Sequence, residues 1–311
     1  MSEQFQYLAF FNLREPPFNL VPVPHIFFPS RRHLQIIDII KFSILQGSLI
    51  SVIVGEPGVG KTQALLTLLE GLPSDKYYKI QILNPALSPE DLLKSIFWQI
   101  NATKFDEEER LEKPNLSALE SNSSASSKIP NEFPMDLRLT KHQILKHLND
   151  WLTELKVKKA KLLLVVDEAQ LLPDETLEEL RLITNLNEGT DPVLQILLIG
   201  QPPLRERLKS SNFLPLRQRI SILEELKPLD KDEILAYIWF RINQVSERAE
   251  LNFHKNILGI LHKFTRGVPR IINKLMDRAL FIAYTNEERL ITKKHIKEAK
   301  ATFDKIVIEV I

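Results

Sequence analysis

The chain is predicted to be an α/β protein, with a parallel-sheet core followed by an all-helical end. Three observations predict this. Short, largely apolar runs recur between helical patterns, as strands buried on both faces of a parallel sheet do. One of these runs enters a glycine-rich turn, and another ends in two adjacent carboxylates. Beyond Pro228 the strand-like runs stop and helical periodicity takes over.

The glycine-rich turn organises the rest. Leu49 to Val54 is expected to be a buried strand, Gln63 to Gly71 a helix, and between them lies Gly55-Glu56-Pro57-Gly58-Val59-Gly60-Lys61-Thr62. The pattern G-x-x-x-x-G-K-[ST], with a strand before and a helix after, is a phosphate-binding loop rather than a bland connecting turn. Its glycines let successive backbone N–H groups turn inward around a phosphate, and the helix N-terminus adds its positive dipole end. Lys61 is expected to reach the β- and γ-phosphates and Thr62 to ligate Mg²⁺.

Bulk composition is that of an ordinary globular protein. With 311 residues, 44% hydrophobic and 26% charged, the chain can bury one large or two ordinary cores. A formal net charge of +1 gives no global field for nucleic acid, and the absence of cysteine excludes disulfides, Cys-ligated zinc and thiol catalysis. The start lacks the pattern of a signal peptide, and no run approaches a membrane span, so a cytoplasmic protein is expected.

Taken in order, Tyr7 to Ser30 is dense in aromatics and prolines, which suits an extended segment better than a helix. Its Phe10, Phe11, Phe18, Phe27 and Phe28 either wall a nucleotide base or seal the edge of a core. Arg31 to Gln46 is expected to be a helix burying Leu34, Ile37, Ile40 and Ile44. Residues 1–46 thus form a lead-in, 47–226 the nucleotide-binding core, and 227–311 a helical lid.

Within the core, Tyr78 to Leu83 is expected to be a strand and Glu90 to Ile100 a helix opened by Ser88-Pro89. Residues 102–134, with their acidic run and SNSSASS, are expected to form a flexible insertion. A helix over Asp136 to Lys156 leads into Lys161-LLLVVDEAQ, where an apolar strand ends in Asp167-Glu168. Asp167 is placed to hold Mg²⁺ and Glu168 to polarise the attacking water. Leu177 to Asn187 is expected to be a helix and Val193 to Ile199 a strand, which sets Gln201 at a strand end, either against the γ-phosphate or merely stabilising a turn. Arg217 and Arg219 precede the apolar run Ile220 to Leu223. Four helices follow, over Lys231 to Val245, His254 to Thr265, Pro269 to Tyr284 and Thr292 to Phe303, and IVIEVI ends the chain as a strand or tail.

FFNLREPPFNL, GEPGVGKT, LLLVVDEAQLL with LEELRLITNL, LLIGQPPL, LRQRI and GVPRIIN occur in this order along nearly the whole chain. Together they resemble the AAA+ P-loop NTPases, in particular the general secretion pathway protein A-type ATPases and related transposition ATPases. The resemblance implies an Mg²⁺-dependent ATP hydrolase, with nucleotide held between the core and the lid, and assembly into homo-oligomeric rings or filaments. By matching positions it implies that Gln201 is the first sensor, that Arg217 or Arg219 is an arginine finger given to a neighbour, and that Arg270 is the second sensor. It leaves two functions open, a motor that assembles or remodels a protein complex of the secretion or envelope type, and an ATP-dependent DNA-binding regulator of a transposase-like enzyme. A scaffold that hydrolyses poorly is a third class, against which the intact Asp167-Glu168 pair argues. Lys293, Lys294, Lys297 and Lys300 form either a small basic face for DNA or a solvated helix surface.

Overall fold

The computed structural model describes residues 3–19, 27–83, 86–112, 139–187, 189, 191–246 and 248–308. The helices are α1 (Glu3–Phe10), α2 (Arg31–Leu45), α3 (Lys61–Glu70), α4 (Pro89–Glu112), α5 (Lys141–Val157), α6 (Asp174–Ile183), α7 (Pro202–Lys209), α8 (Leu214–Arg217), α9 (Glu233–Val245), α10 (Ile257–Thr265), α11 (Pro269–Thr285) and α12 (Lys293–Ile308). The strands are β1 (Ile50–Val54), β2 (Tyr77–Ile82), β3 (Lys161–Val166), β4 (Leu194–Gly200), β5 (Ile220–Glu225), β6 (Asn252–Phe253) and β7 (Leu290–Ile291).

The first five strands form one sheet in the order β2-β3-β4-β1-β5, and every pairing is parallel. Side chains alternate between its faces. Ile50, Val52 and Val54 join Leu162, Leu164 and Val166 on the face covered by α4, α5 and α6, where Leu92, Ile144, Trp151 and Leu180 are buried. Ile53, Leu163, Val165, Leu197 and Ile199 face the other way, onto Ile40 and Ile44 of α2 and Leu65 and Leu68 of α3. Burial on both faces is why β1 and β4 carry almost no polar residues. One that does occur, Gln195, donates to the carbonyls of Ile44 and Ser48 and so ties the end of α2 to the sheet.

Sequence signals also account for helix starts. Ser30 caps α2 by accepting from the His33 N–H at 3.3 Å. At α5, Thr140 and Gln143 form a capping box, each side chain accepting from the other's backbone N–H. Helices α9 to α12 pack around a separate core of Ile238, Leu261, Ile272, Met276, Leu280 and Ile296.

Several expectations need correction. The extended reading of Tyr7 to Ser30 fails at its start, because Glu3–Phe10 is helical and Tyr7, Leu8, Phe11 and Phe18 are buried against the lid helices. Tyr7 and Phe10 meet Tyr284 edge-on, with centroids 6.3 and 5.6 Å apart, so tertiary packing holds a helix too short to persist alone. On α2 the buried apolar residues are Ile36, Ile37, Ile40 and Ile44, whereas Leu34 is exposed. The helix expected to stop at Ile100 continues to Glu112, so the first part of the insertion drawn at 102–134 is helical. The rest of that insertion, 113–134, lies outside the described residues. Helix α12 runs to Ile308, so the first half of IVIEVI is helical in place of the expected strand or tail, and 309–311 lie outside the described residues. Among the described residues no helix is long and apolar enough to cross a membrane.

Candidate nucleotide site

Strands β3, β4 and β1 lie side by side and run the same way, with Val54 opposite Gly200 and Val166 opposite Leu198. Their carboxyl ends therefore meet at one edge of the sheet. The glycine-rich loop leaves β1 there, Asp167-Glu168 leaves β3, and Gln201 leaves β4. Such an edge is where ligands bind in parallel α/β sheets.

The loop is fixed by contacts that only glycine allows. Gly58 and Gly60 have φ of +80° and +104°, in the left-handed region. A Cβ would lie 2.6 Å from Arg270 Cβ at Gly58, 2.8 Å from His33 Nε2 at Gly60, and 2.6 Å from the Leu226 carbonyl oxygen at Gly55. The three glycines thus touch the lid helix α11, the lead-in helix α2 and the segment after β5. The Arg270 N–H donates to the Gly58 carbonyl at 3.2 Å. His33 Nε2 donates to the Val59 carbonyl at 3.0 Å while its Nδ1 accepts from the Ser30 hydroxyl. The carbonyl can only accept, so Nε2 carries the hydrogen, and in the neutral ring Nδ1 is then the acceptor. Burial lowers the His33 pKa below its ordinary value, opposed by the Val59 carbonyl and the Glu233 carboxylate.

A cavity opens over the loop. Pro57 to Gln63 form its floor, Glu168 and Gln201 its sheet side, Tyr237, Arg241, Arg270 and Asn273 its lid side, and Phe27, Phe28 and His33 a further wall. The sequence-predicted Pro57, Gly58, Val59, Gly60, Lys61, Thr62, Glu168, Gln201 and Arg270 are therefore brought together, while Asp167, buried at the end of β3, is not among the lining residues. Gly55 and Glu56 lie behind the loop, where their carbonyls accept from Lys61 Nζ at 2.8 and 3.1 Å. Of the five phenylalanines, Phe10, Phe11 and Phe18 pack with the lid, and Phe27 and Phe28 line the cavity, Phe28 packing against the lid core as well.

The charges are arranged in opposition. Burial lowers the pKa of Lys61, and the nearby Glu168 and Asp167 carboxylates pull it back. Burial raises that of Asp167, countered by the Glu168 N–H that its Oδ1 accepts at 2.8 Å and by Lys61. Burial also pushes Glu168 upward, but amide hydrogen bonds from Gln170 and Gln201, with the charges of Lys61 and Arg270, outweigh it and leave the pKa lowered. Cations, a hydroxyl and carboxylates around a glycine cradle suit a magnesium nucleotide, since Mg²⁺ takes hard oxygen ligands such as Thr62 and Asp167 supply.

Arg217 and Arg219 stand apart from the cavity. Arg217 donates to the carbonyls of Leu208 and Lys209 at the end of α7, and Arg219 to Thr184 Oγ1 and Asn185 Oδ1. Sequence reasoning did not single out His33, Tyr237, Arg241 and Asn273. The Tyr237 hydroxyl donates to Asn273 Oδ1 at 2.7 Å, and Arg241 fastens the carbonyls of Pro17 and Asn19. Asn273 follows Arg270 by three residues and so shares its helix face, a signal that was available.

Residues 44–208, over half of the chain, match the AAA domain family. General secretion pathway protein A of Aeromonas hydrophila is 34% identical over 278 residues, covering 89% of this chain and 45% of that protein. The chain therefore spans less than half the length of this relative. Among solved structures, Cdc6p from Pyrobaculum aerophilum superposes with a TM-score of 0.60 at 16% identity, covering 92% of this chain and 70% of the other. Drosophila ORC bound to DNA superposes with a TM-score of 0.58 at 17% identity, covering 96% and 65%. At such identities these two likenesses speak to the fold alone. The family match, the sheet order and a phosphate loop facing a carboxylate pair lead to one conclusion: the chain belongs to the AAA domain family of ATP-hydrolysing AAA+ P-loop enzymes.

Proposed function

We propose that the chain is an Mg²⁺-dependent ATPase that works in a homo-oligomer, where hydrolysis at subunit interfaces drives assembly or remodelling of a partner complex of the secretion or envelope type. One observation carries the interface part of this reading. The cavity gathers the loop, Glu168, Gln201 and Arg270, while Arg217 and Arg219, in α8 and just beyond it, are not among its lining residues. An arginine that cannot serve its own site is suited to serve a neighbour's.

In this reading the backbone N–H groups of Gly58 to Lys61 and the N-terminus of α3 hold the phosphates. Lys61 and Arg270 bring positive charge from two sides, one from the loop and one from the lid. Thr62 and Asp167 would hold Mg²⁺, which when bound would supply positive charge against the negative charge that develops on the phosphate oxygens. Glu168 takes a proton from the attacking water, and Gln201 orients the same group from the next strand. Phe27 and Phe28 shield the base side of the cavity. The secretion-type partner follows the likeness to general secretion pathway protein A and, with the cytoplasmic location expected from the sequence, belongs to the proposal.

The experiment is ATP turnover by the purified protein against Glu168→Gln, with and without double-stranded DNA, with light scattering to follow size. Turnover that DNA leaves unchanged, with Glu168→Gln trapped as an ATP-bound oligomer, is expected. Hydrolysis accelerated by DNA, with large assemblies that dissolve steeply with salt, would favour the DNA-regulator reading instead. The DNA arm is warranted because one structural neighbour was captured on DNA.

A further inference from the structure

The turn after β3 carries a second amide into the site. Gln170 stands two residues beyond Glu168, in the single 3-10 turn Ala169–Leu171. Its Nε2 donates to Glu168 Oε2 at 2.6 Å, and its Oε1 accepts the backbone N–H of Gln201 at 2.9 Å. Gln201 closes the triangle, its Nε2 donating to the same Glu168 Oε2 at 3.0 Å.

Four features make this a built arrangement. The orientation of the Gln170 amide is dictated, because a peptide N–H can only donate; Oε1 must face Gln201 and Nε2 must face Glu168. Space for it is also provided. Gly200 is buried at the end of β4, and a Cβ there would lie 3.0 Å from Gln170 Oε1 and 2.8 Å from Leu204 Cδ2. The peptide of Gln170 is anchored in turn, since its carbonyl accepts from Arg207 Nη1 at 2.8 Å. Glu168 itself has φ of +51°, a left-handed conformation that a non-glycine residue keeps only when its surroundings impose it.

Both amides grip one oxygen. The carboxylate is therefore pinned through Oε2, and Oε1 is the oxygen presented to water. We infer that Gln170 is a positioning residue for hydrolysis, which locks the carboxylate of Glu168 and joins it to Gln201 so that the two move as one unit. The inference rests on the reading of Glu168 as the group that activates water.

The test is steady-state ATP hydrolysis by Gln170→Met, which keeps the length and removes the amide, beside Gln170→Glu, Gln201→Ala, Glu168→Gln and the double variant Gln170→Met/Gln201→Ala. Binding of a fluorescent ATP analogue is measured for each. Loss of one hydrogen bond to a charged group is expected to lower kcat roughly 10- to 100-fold in Gln170→Met, with KM and analogue binding unchanged. Gln170→Glu is expected to lose more, because a second carboxylate faces the first. The double variant is expected to lose less than the product of the single losses, because both amides act through one oxygen. If Glu168→Gln abolishes turnover while Gln170→Met keeps wild-type kcat, or loses kcat only together with analogue binding, the inference is overturned and the parent reading stands. If Glu168→Gln hydrolyses ATP as wild type does, the parent reading falls and the inference falls with it.

Discussion

The backbone of Arg270, at the start of lid helix α11, donates to the carbonyl of Gly58 in the phosphate loop at 3.2 Å. Their side-chain positions are equally close, for a Cβ on Gly58 would meet Arg270 Cβ at 2.6 Å. Loop and lid are thus joined at a point where no side chain larger than hydrogen fits. With φ of +80° as well, Gly58→Ala is strained twice over. The expected outcome is a loss of about 1–2 kcal/mol from backbone strain alone, and loss of the thermal stabilisation that ATP gives the wild type. Melting curves with and without ATP check this, and an undiminished ATP-induced shift would contradict it.

The guanidinium of Arg270 is a separate matter, because the bond to Gly58 uses only its backbone. Arg270→Ala keeps that bond and removes the charge that lines the cavity. Melting temperature without nucleotide is expected to stay near wild type, while ATP affinity weakens by about 10- to 100-fold, as loss of a hydrogen bond to a charged group does. Titration with a fluorescent ATP analogue measures it. A variant that binds as wild type does but no longer hydrolyses would move Arg270 from binding to turnover.

His33 gives a pH dependence. It braces the loop through the Val59 carbonyl and is 4% exposed, and burial holds its pKa below the ordinary 6.5. Glu233, the carboxylate facing it, opposes this shift without reversing it. As pH falls through 6.5 the unfolded chain takes up a proton at this residue and the folded chain does not, so stability is lost toward acid. The contribution is complete above 6.5. His33→Phe is expected to cost about 1–3 kcal/mol at pH 7.5, since the Val59 carbonyl loses its donor. That gap is expected to narrow by pH 5.5, where the wild type alone carries the proton-linked loss. Urea denaturation at both values checks it, and a gap independent of pH would refute the titration argument.

How much could be foreseen depended on how many residues carried each signal. Strands β1, β3 and β4 were legible because short runs with at most one polar residue among the apolar ones leave few alternatives, and the loop because its spacing is mechanical. The edge where Lys61, Glu168 and Gln201 meet follows once those strands are parallel neighbours. Helix α1 was not legible, since its eight residues have little intrinsic stability and are held by Tyr284 and the lid, far away in sequence. The continuation of α4 to Glu112 was hidden by an acidic, low-complexity composition that suits a solvated helix as well as a loop. His33 and Gln170 were missed for another reason. Each acts through hydrogen bonds to backbone or to a neighbouring side chain, and a single residue leaves no pattern for such a role.

Arg217 and Arg219 offer the sharpest test of the assembly reading. Neither lines its own cavity, and each already has oxygen partners within its chain, Arg217 at the end of α7 and Arg219 beside α6. A purely structural role is therefore a real competitor, and loss of activity in Arg217→Ala or Arg219→Ala would not decide the matter. Mixing does. Suppose one arginine reaches a neighbour's phosphates, a contact worth roughly 10³ to 10⁵ in rate in other nucleotide hydrolases. Its alanine variant is then expected to bind ATP normally and turn over almost none, as is Glu168→Gln. In a mixed assembly, the intact carboxylate of the arginine variant receives the intact arginine of its Glu168→Gln neighbour, and part of the turnover returns. Activity is measured across mixing ratios, and recovery that peaks near equal amounts is expected for the arginine that acts between subunits. An inactive mixture, together with a lowered melting temperature of the arginine variant, would assign that arginine to holding α7 or α6 in place.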